Sequence, residues 1–300
     1  MDIVVFGNVA LDVICQTVEE VPLEESIGFE RAAVSAGGCA SNVAVGLAAL
    51  GAQVGLAARL GEDEAAGLLE SFWRRVGVDS RWAHRVNGAT TGVSIGLVDH
   101  TGQPRFVHTP GASAGLTVDD LDLPAIVQAG ARALHVAGFF VLPGLCDGRL
   151  PATLAQARHL GLHTSLDVVR SPGMDDPAPL WPCLPYLDLF LCNSWEAARL
   201  TGEIQPDQAA QALRQAGAGS VVVKLSSQGS WAASASFTGL VAAVPAPVVD
   251  TTGAGDAFDA GLLAARLHGA GLEEACRAGN AAGRRMVGSL GAVSGWFSGK

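Results

Sequence analysis

Short apolar runs rich in β-branched residues alternate along the chain with longer stretches whose apolar residues recur at helical spacing. Residues 3–6 (IVVF) read as a strand, 41–50 (SNVAVGLAAL) as a helix, 54–58 (VGLAA) as a strand and 64–76 (EAAGLLESFWRRV) as a helix. The rhythm resumes with strands predicted at 133–138, 163–169, 189–193 and 220–225, a helix near 149–160, and two C-terminal helices. Such alternation predicts β-α-β units and a parallel sheet covered by helices, an open α/β layer fold.

Two stretches break the rhythm. Residues 13–36 and 88–110 carry strand-like segments, TTGVSIGLVD (90–99) and PRFVHTP (104–110), with the turn sequence HTGQ between them. Hairpins inserted between β-α-β units predict a small sheet projecting from the core, as a lid or a dimer surface. The proline-rich stretch SPGMDDPAPLWPCLP (171–185) reads as an ordered loop with short helical turns.

Composition narrows the class. At 300 residues, 49% hydrophobic and 16% charged, the chain can bury a large core, and residues 1–300 are expected to form a single domain with the lid as an appendage. A net charge of -10 with no basic stripe leaves neither nucleic acid nor an anionic membrane a landing place, so the expected partner is a small molecule. The six cysteines are scattered, without a C-x-x-C pair, and read as buried reduced thiols. The N-terminal stretch MDIVVFGNVALDVIC lacks a basic region before its apolar run, and no run reaches the ~18 uncharged apolar residues of a membrane span; a cytoplasmic protein is expected.

Neither G-x-x-x-x-G-K-[ST] nor a G-x-G-x-x-G after the first strand is present. The stretch DTTGAGDAFDAG (250–261) supplies another device for phosphate: small residues at a strand-to-helix turn, followed by a helical apolar pattern. Amides of Gly253, Ala254, Gly255 and Asp256 at a helix N-terminus favour an anion. The same residues also describe an ordinary helix start with Asp256 as its first-turn acid. Likewise NSWE (193–196) is by itself a helix cap with a first-turn acid, and Asp12 by itself a loop acid.

Taken together, D-T-T-G-A-G-D-A-F (250–258), G-G-C-A-S-N-V-A (37–44), L-A-A-L-G (47–51), G-E-D-E-A-A-G-L-L (61–69) and G-V-D (77–79) resemble the ordered signatures of the ribokinase-like (PfkB) family of carbohydrate kinases, over nearly the whole chain. The resemblance implies a three-layer α/β/α sandwich with a mainly parallel sheet and a small β-sheet lid. It implies ATP-dependent phosphorylation of a hydroxymethyl group, with Asp256 as general base and the Gly253–Asp256 amides as anion hole. Gly37, Gly38, Asn42 and Asp12 would contact the sugar, and Arg170, in a D-V-V-R segment (167–170) where relatives have D-P-N-x-R, would lie near phosphate or substrate.

On the ATP side the resemblance points to Asn193, Lys224, Ser226, Gly229, Asn280 and Gly283, with Ser226 replacing a glycine that relatives carry. Asn193 and Glu196 would serve Mg²⁺ through its waters, and K⁺, which some relatives hold by carbonyls, would sit around Asp250, Thr252 and residues 286–295. A homodimer joined through the lid is also expected. A nucleoside kinase of the same family is the nearest alternative, decided by lid residues such as Thr91, Val93, Phe106 and His108; a noncatalytic sugar or nucleotide sensor is the alternative of another class. An anionic sugar would call for cationic contacts, for which Arg105 and Arg170 are the candidates.

Overall fold

The computed structural model describes residues 1–297. The chain runs through β1 (Ile3–Gly7), β2 (Ala10–Gln16), β3 (Arg31–Gly37), α1 (Cys39–Ala49), β4 (Val54–Gly61), α2 (Glu64–Val76), β5 (Asp79–Val86), β6 (Gly92–Val98) and β7 (Pro104–Thr109). It continues with α3 (Leu123–Gln128), β8 (Ala133–Ala137), α4 (Leu150–His159), β9 (His163–Asp167), β10 (Leu189–Asn193), α5 (Ser194–Thr201) and α6 (Pro206–Gln215). β11 (Val221–Lys224), β12 (Gly229–Ala233), β13 (Thr238–Ala242), α7 (Ala254–Leu267) and α8 (Leu272–Val287) follow. Residues 171–185 form the expected ordered loop, with 3₁₀ turns at Pro172–Asp175 and Ala178–Tyr186.

A nine-stranded sheet in the order β13-β12-β11-β10-β9-β8-β1-β4-β5 is parallel except at β12 and β13. Its central strands β1, β8, β10 and β11 are largely apolar because both faces are covered. Ile3 and Val5 of β1 point into a core with α1, α2, α7 and α8, while Val4 and Phe6 point into a second core with α3, α4, α5 and α6. Three layers result, and the side-chain period of two sorts each strand between them. Gly7, Asp167, Asn193 and Lys224 close β1, β9, β10 and β11, so the carboxyl ends of these strands form one edge, where sites in such sheets arise.

The four-stranded second sheet has the order β3-β2-β6-β7, with β2 and β6 parallel and the outer pairs antiparallel. It begins at Ala10, slightly before the inserted stretch the pattern marked. Its root is tied to the main body at the start of α2. Asp63 caps that helix through Ala66 N–H at 3.0 Å, and the same carboxylate accepts from Thr91 N–H at 2.7 Å and Thr91 Oγ1 at 2.6 Å, just before β6. Among the described residues no helix is long and apolar enough to cross a membrane.

Candidate active site

The turn before α7 is built by its own polar residues. Asp250 is fully buried; one carboxylate oxygen accepts from Thr252 N–H (2.8 Å) and Thr252 Oγ1 (2.6 Å), the other from Gly291 N–H (2.8 Å). Gly253 then takes φ 72°, the left-handed region, and a Cβ there would lie 2.5 Å from the Ala292 carbonyl oxygen. Only glycine fits. No side chain caps α7; Ala254 N–H turns back to the Thr251 carbonyl at 3.2 Å, and the amides beyond it keep the hydrogen-bonding capacity and partial positive charge that suit an anion.

Asp256 sits in that first turn, and Asn42 Nδ2 donates to its Oδ2 at 2.8 Å. The contact is set by helix packing. One turn further along each helix, Gly46 of α1 meets Ala260 of α7 so closely that a Cβ on Gly46 would lie 2.6 Å from the Ala260 Cβ. Residues four apart share a helix face, so the close approach at Gly46 and Ala260 brings Asn42 to Asp256. Burial pushes the Asp256 carboxyl up to about 6, against the Asn42 hydrogen bond and the Lys224 charge, which favour its ionised form.

Asp12, on β2, is buried, and its carboxyl is pushed up to about 7, first by burial and then by the charges of Asp256 and Asp250. Its neighbour Gly37 has no room for a side chain: a Cβ there would lie 2.0 Å from the Asp12 carboxylate. Gly38, at φ 81°, caps α1 while passing against Val9 and the Asn8 carbonyl oxygen. Ser35 and Ser94 stand directly opposite Asp12 on the two neighbouring strands. Ser35 Oγ, Asn42 Oδ1 and Asn8 Oδ1 are buried without a hydrogen-bond partner in the protein. Buried polar atoms of this kind are ordinarily satisfied, and their concentration here marks a place for a polar ligand.

Lys224 Nζ contacts both oxygens of the fully buried Asp259, at 3.1 and 2.8 Å. Asp259, Asp167 and Glu196 together hold the ammonium charged despite its burial. Burial pushes Asp167 well above the usual carboxylate range and raises Asp259 as well, while the Lys224 ammonium favours the ionised form of both. Lys224 also borders the anion turn: a Cβ on Gly255 would lie 3.6 Å from its Nζ. Asn193 and Glu196 form a closed capping box on α5. Asn193 Oδ1 accepts from Glu196 N–H at 2.9 Å and Glu196 Oε2 from Asn193 N–H at 2.7 Å, while Oε1 accepts from Arg170 N–H at 3.1 Å. Each carboxylate oxygen keeps a second lone pair, so the group suits contact with a hydrated cation better than direct ligation.

The exposed Arg170 side chain stacks its guanidinium 4.3 Å over the Trp195 ring, on the outer side of this box. On the far side of the sheet edge, Ser226 adopts φ 54°, keeping the left-handed backbone usual for glycine although it bears a side chain. Gly229, at φ 107°, lies where a Cβ would be 2.1 Å from the Val241 carbonyl oxygen. Asn280 Nδ2 donates to that same carbonyl at 2.9 Å, and Gly283 lets α8 pass the start of α7 near the Ala254 carbonyl.

Sequence reasoning left out four polar residues that the fold collects here. Asp259 follows Asp256 by three positions and so shares its helix face, a legible sign. Cys39 lies inside a quoted motif, but a cysteine between small residues carries no sign of its own. Asp167 heads the quoted D-V-V-R segment without having been given a role, and the buried His135 lies on the neighbouring strand; only the sheet register brings them within 3.9 Å.

The architecture is that of the ribokinase-like fold. A solved ribokinase of Arabidopsis thaliana, complexed with ribose and ATP, superposes with a TM-score of 0.78 at 29% identity, covering 98% of this chain and 95% of that one. The chain belongs to the pfkB family of carbohydrate kinases, whose sequence profile matches residues 1–296. The 2-dehydro-3-deoxygluconokinase of Bacillus subtilis is 29% identical over 277 residues, 86% of this chain and 82% of that one. The probable fructokinase-3 of A. thaliana is 27% identical over 275 residues, 87% of this chain and 76% of that one. The protein is thus an ATP-dependent carbohydrate kinase.

Proposed function

We propose that the protein transfers the γ-phosphoryl group of ATP to a hydroxymethyl group of a neutral sugar, with Asp256 as the base. The observation that carries this is the position of Asp256: a carboxylate gripped by Asn42 in the first turn of an uncapped helix. Phosphoryl transfer demands positioning and charge stabilisation more than covalent chemistry. The Gly253–Asp256 amides and Lys224 would face the phosphoryl oxygens, and Asp256, poised near neutrality, would accept the hydroxyl proton as the oxygen attacks. ATP would lie along Ser226, Gly229, Asn280 and Gly283. Mg²⁺, held through water by Asn193 and Glu196, would neutralise phosphate charge. For K⁺, main-chain carbonyls where the Asp250–Gly253 turn meets Ala292 are donors of suitable hardness.

A neutral substrate is favoured by the unpartnered oxygens of Asn8, Ser35 and Asn42 around Asp12, which match sugar hydroxyls. The two cations available to an anionic sugar are engaged elsewhere: Arg105 donates to the carbonyls of Val18 (2.8 Å) and Glu19 (2.6 Å), and Arg170 stacks on Trp195. The lid's outer face carries a register-matched row, Val34, Val13, Ile95 and Val107, across all its strands, with Val34 50% and Val107 62% exposed. A second copy covering this row would give the lid dimer, and sedimentation tests it.

ADP release is to be measured with neutral pentoses and hexoses, keto-acid sugars and nucleosides, with and without K⁺. A neutral sugar should give the highest kcat/KM. Preference for a keto-acid sugar or a nucleoside would refute the substrate class, and tight binding without ADP release would refute catalysis.

A further inference from the structure

A thiol and two carboxylates meet beside the anion turn. Sγ of Cys39, at the start of α1, and carboxylate oxygens of Asp167, at the end of β9, and Asp256 all lie within 4.8 Å of one another. Around a tetrahedral ion with metal–sulfur bonds near ~2.3 Å and metal–oxygen bonds near ~2.1 Å, donors stand roughly 3.5 Å apart. Side-chain rotation of about an ångström therefore closes the three on one ion.

A second, independent observation points to a cation there. His135 is fully buried, its Nδ1 is engaged by Ser165 Oγ at 2.9 Å, and its Nε2 has no hydrogen-bond partner. That orphan nitrogen faces Asp167 Oδ1 from 3.9 Å. Ser165 Oγ also reaches the Leu134 carbonyl at 3.5 Å; where its hydroxyl turns to Nδ1 instead, Nε2 carries the proton and is a donor. A buried donor behind a carboxylate is how outer groups orient metal ligands, and it gains a partner when Asp167 moves to bind as the anion.

We propose that Cys39, Asp167 and Asp256 form a site for a thiophilic divalent cation, Zn²⁺, whose occupancy withdraws Asp256 from phosphoryl transfer. This site is separate from the Asn193 and Glu196 pair. Burial and the neighbouring carboxylates hold the Cys39 thiol protonated in the free protein. Mg²⁺, a hard cation that prefers oxygen, leaves it so. Zn²⁺ displaces the proton: the S–H bond breaks, a Zn–S bond forms, and the protons of Cys39 and Asp167 leave to solvent, with no change of oxidation state. Cys39 and Asp256 are both partly exposed, so the fourth position opens toward the cleft. The inhibition rests on the proposed role of Asp256; the binding does not.

The full chain is to be titrated with Zn²⁺ without nucleotide by calorimetry, and with Co²⁺ by absorption. One equivalent should bind, and Co²⁺ should show a thiolate charge-transfer band. In Cys39→Ala the affinity should fall by on the order of 100-fold and the band should vanish. Cys39→Ser, which keeps the side-chain shape, should also lose the band, and its thermal melt separates ligand loss from misfolding. Absence of a bound equivalent, equal affinity in Cys39→Ala, or a bound ion without the band would each overturn the site. Micromolar Zn²⁺ should also suppress ADP release at saturating Mg·ATP, reversibly on adding a zinc-selective chelator. Zinc held by Cys39 with turnover unchanged would overturn the inhibition and, separately, the assignment of Asp256 as base.

Discussion

At the scale of single residues, the site works by setting the charge state of a few buried groups. Asp256, pushed up to about 6 by burial, must be deprotonated to accept a proton, so kcat should decline as pH falls through that value. A kcat profile flat from pH 5 to 8 would contradict this. Asn42 touches Asp256 with its nitrogen and leaves its oxygen for substrate. Asn42→Ala should therefore raise the sugar KM more than the ATP KM, and the reverse pattern would misplace the sugar pocket. Asp12 and Asn42 were legible only through ordered motifs, because one buried acid and one amide near a glycine pair are common. The competing role of Asn193 and Glu196 as a helix cap was legible from their spacing, and the fold realises that cap in full. The cap leaves room for an outer-sphere role, since it uses one lone pair of Glu196 Oε2 and Arg170 N–H one of Oε1.

At the scale of elements, catalytic geometry depends on how near α1 approaches α7. Gly46→Ala would place a methyl 2.6 Å from the Ala260 Cβ. Overpacking of this kind costs about 1–3 kcal/mol, and prising the helices apart should lower kcat together with Tm. The double variant Gly46→Ala/Ala260→Gly removes the closest clash, leaving the Trp296 ring 3.1 Å away, and should recover much of both, a coupling measurable by a double-mutant cycle. Failure of the pair to recover kcat would show that this contact does not position Asn42. The strands and helices with strong periodicity were readable within a few residues, as with α2 at Glu64–Val76 and β10 at Leu189–Asn193. The antiparallel β12 and β13 were not, because their small and hydroxylated residues, Gly229 to Ala233 and Thr238 to Ala242, lack the apolar runs of the central strands. The edge strand β5 hid for a related reason: it carries Arg81, His84 and Arg85 on a half-exposed edge.

At the scale of the whole molecule, carboxyl burial at the sheet edge is linked to stability. Asp12 keeps its proton to about pH 7 in the folded chain but loses it near 4 when unfolded. Between those values the folded state binds more protons, so its stability falls as pH rises. Hydrogen bonds hold other carboxylates, such as Asp63 and Glu70, below their usual range, and these contribute in the opposite sense. Tm should therefore drop more between pH 5 and 8 in the natural protein than in Asp12→Asn; equal drops would show that Asp12 is not held protonated. The three-layer architecture was legible because both-face burial makes the central strands largely apolar, whereas the buried Lys224, Asp259, Asp167 and His135 group was not, since its members meet only through sheet register and helix packing. The most direct measurement is single-turnover phosphoryl transfer by Asp256→Asn, alongside its ATP and sugar affinities. Loss of transfer by about 10² to 10⁴ with both affinities largely kept is the predicted result. Transfer near the natural rate would contradict the assignment of Asp256 as the base.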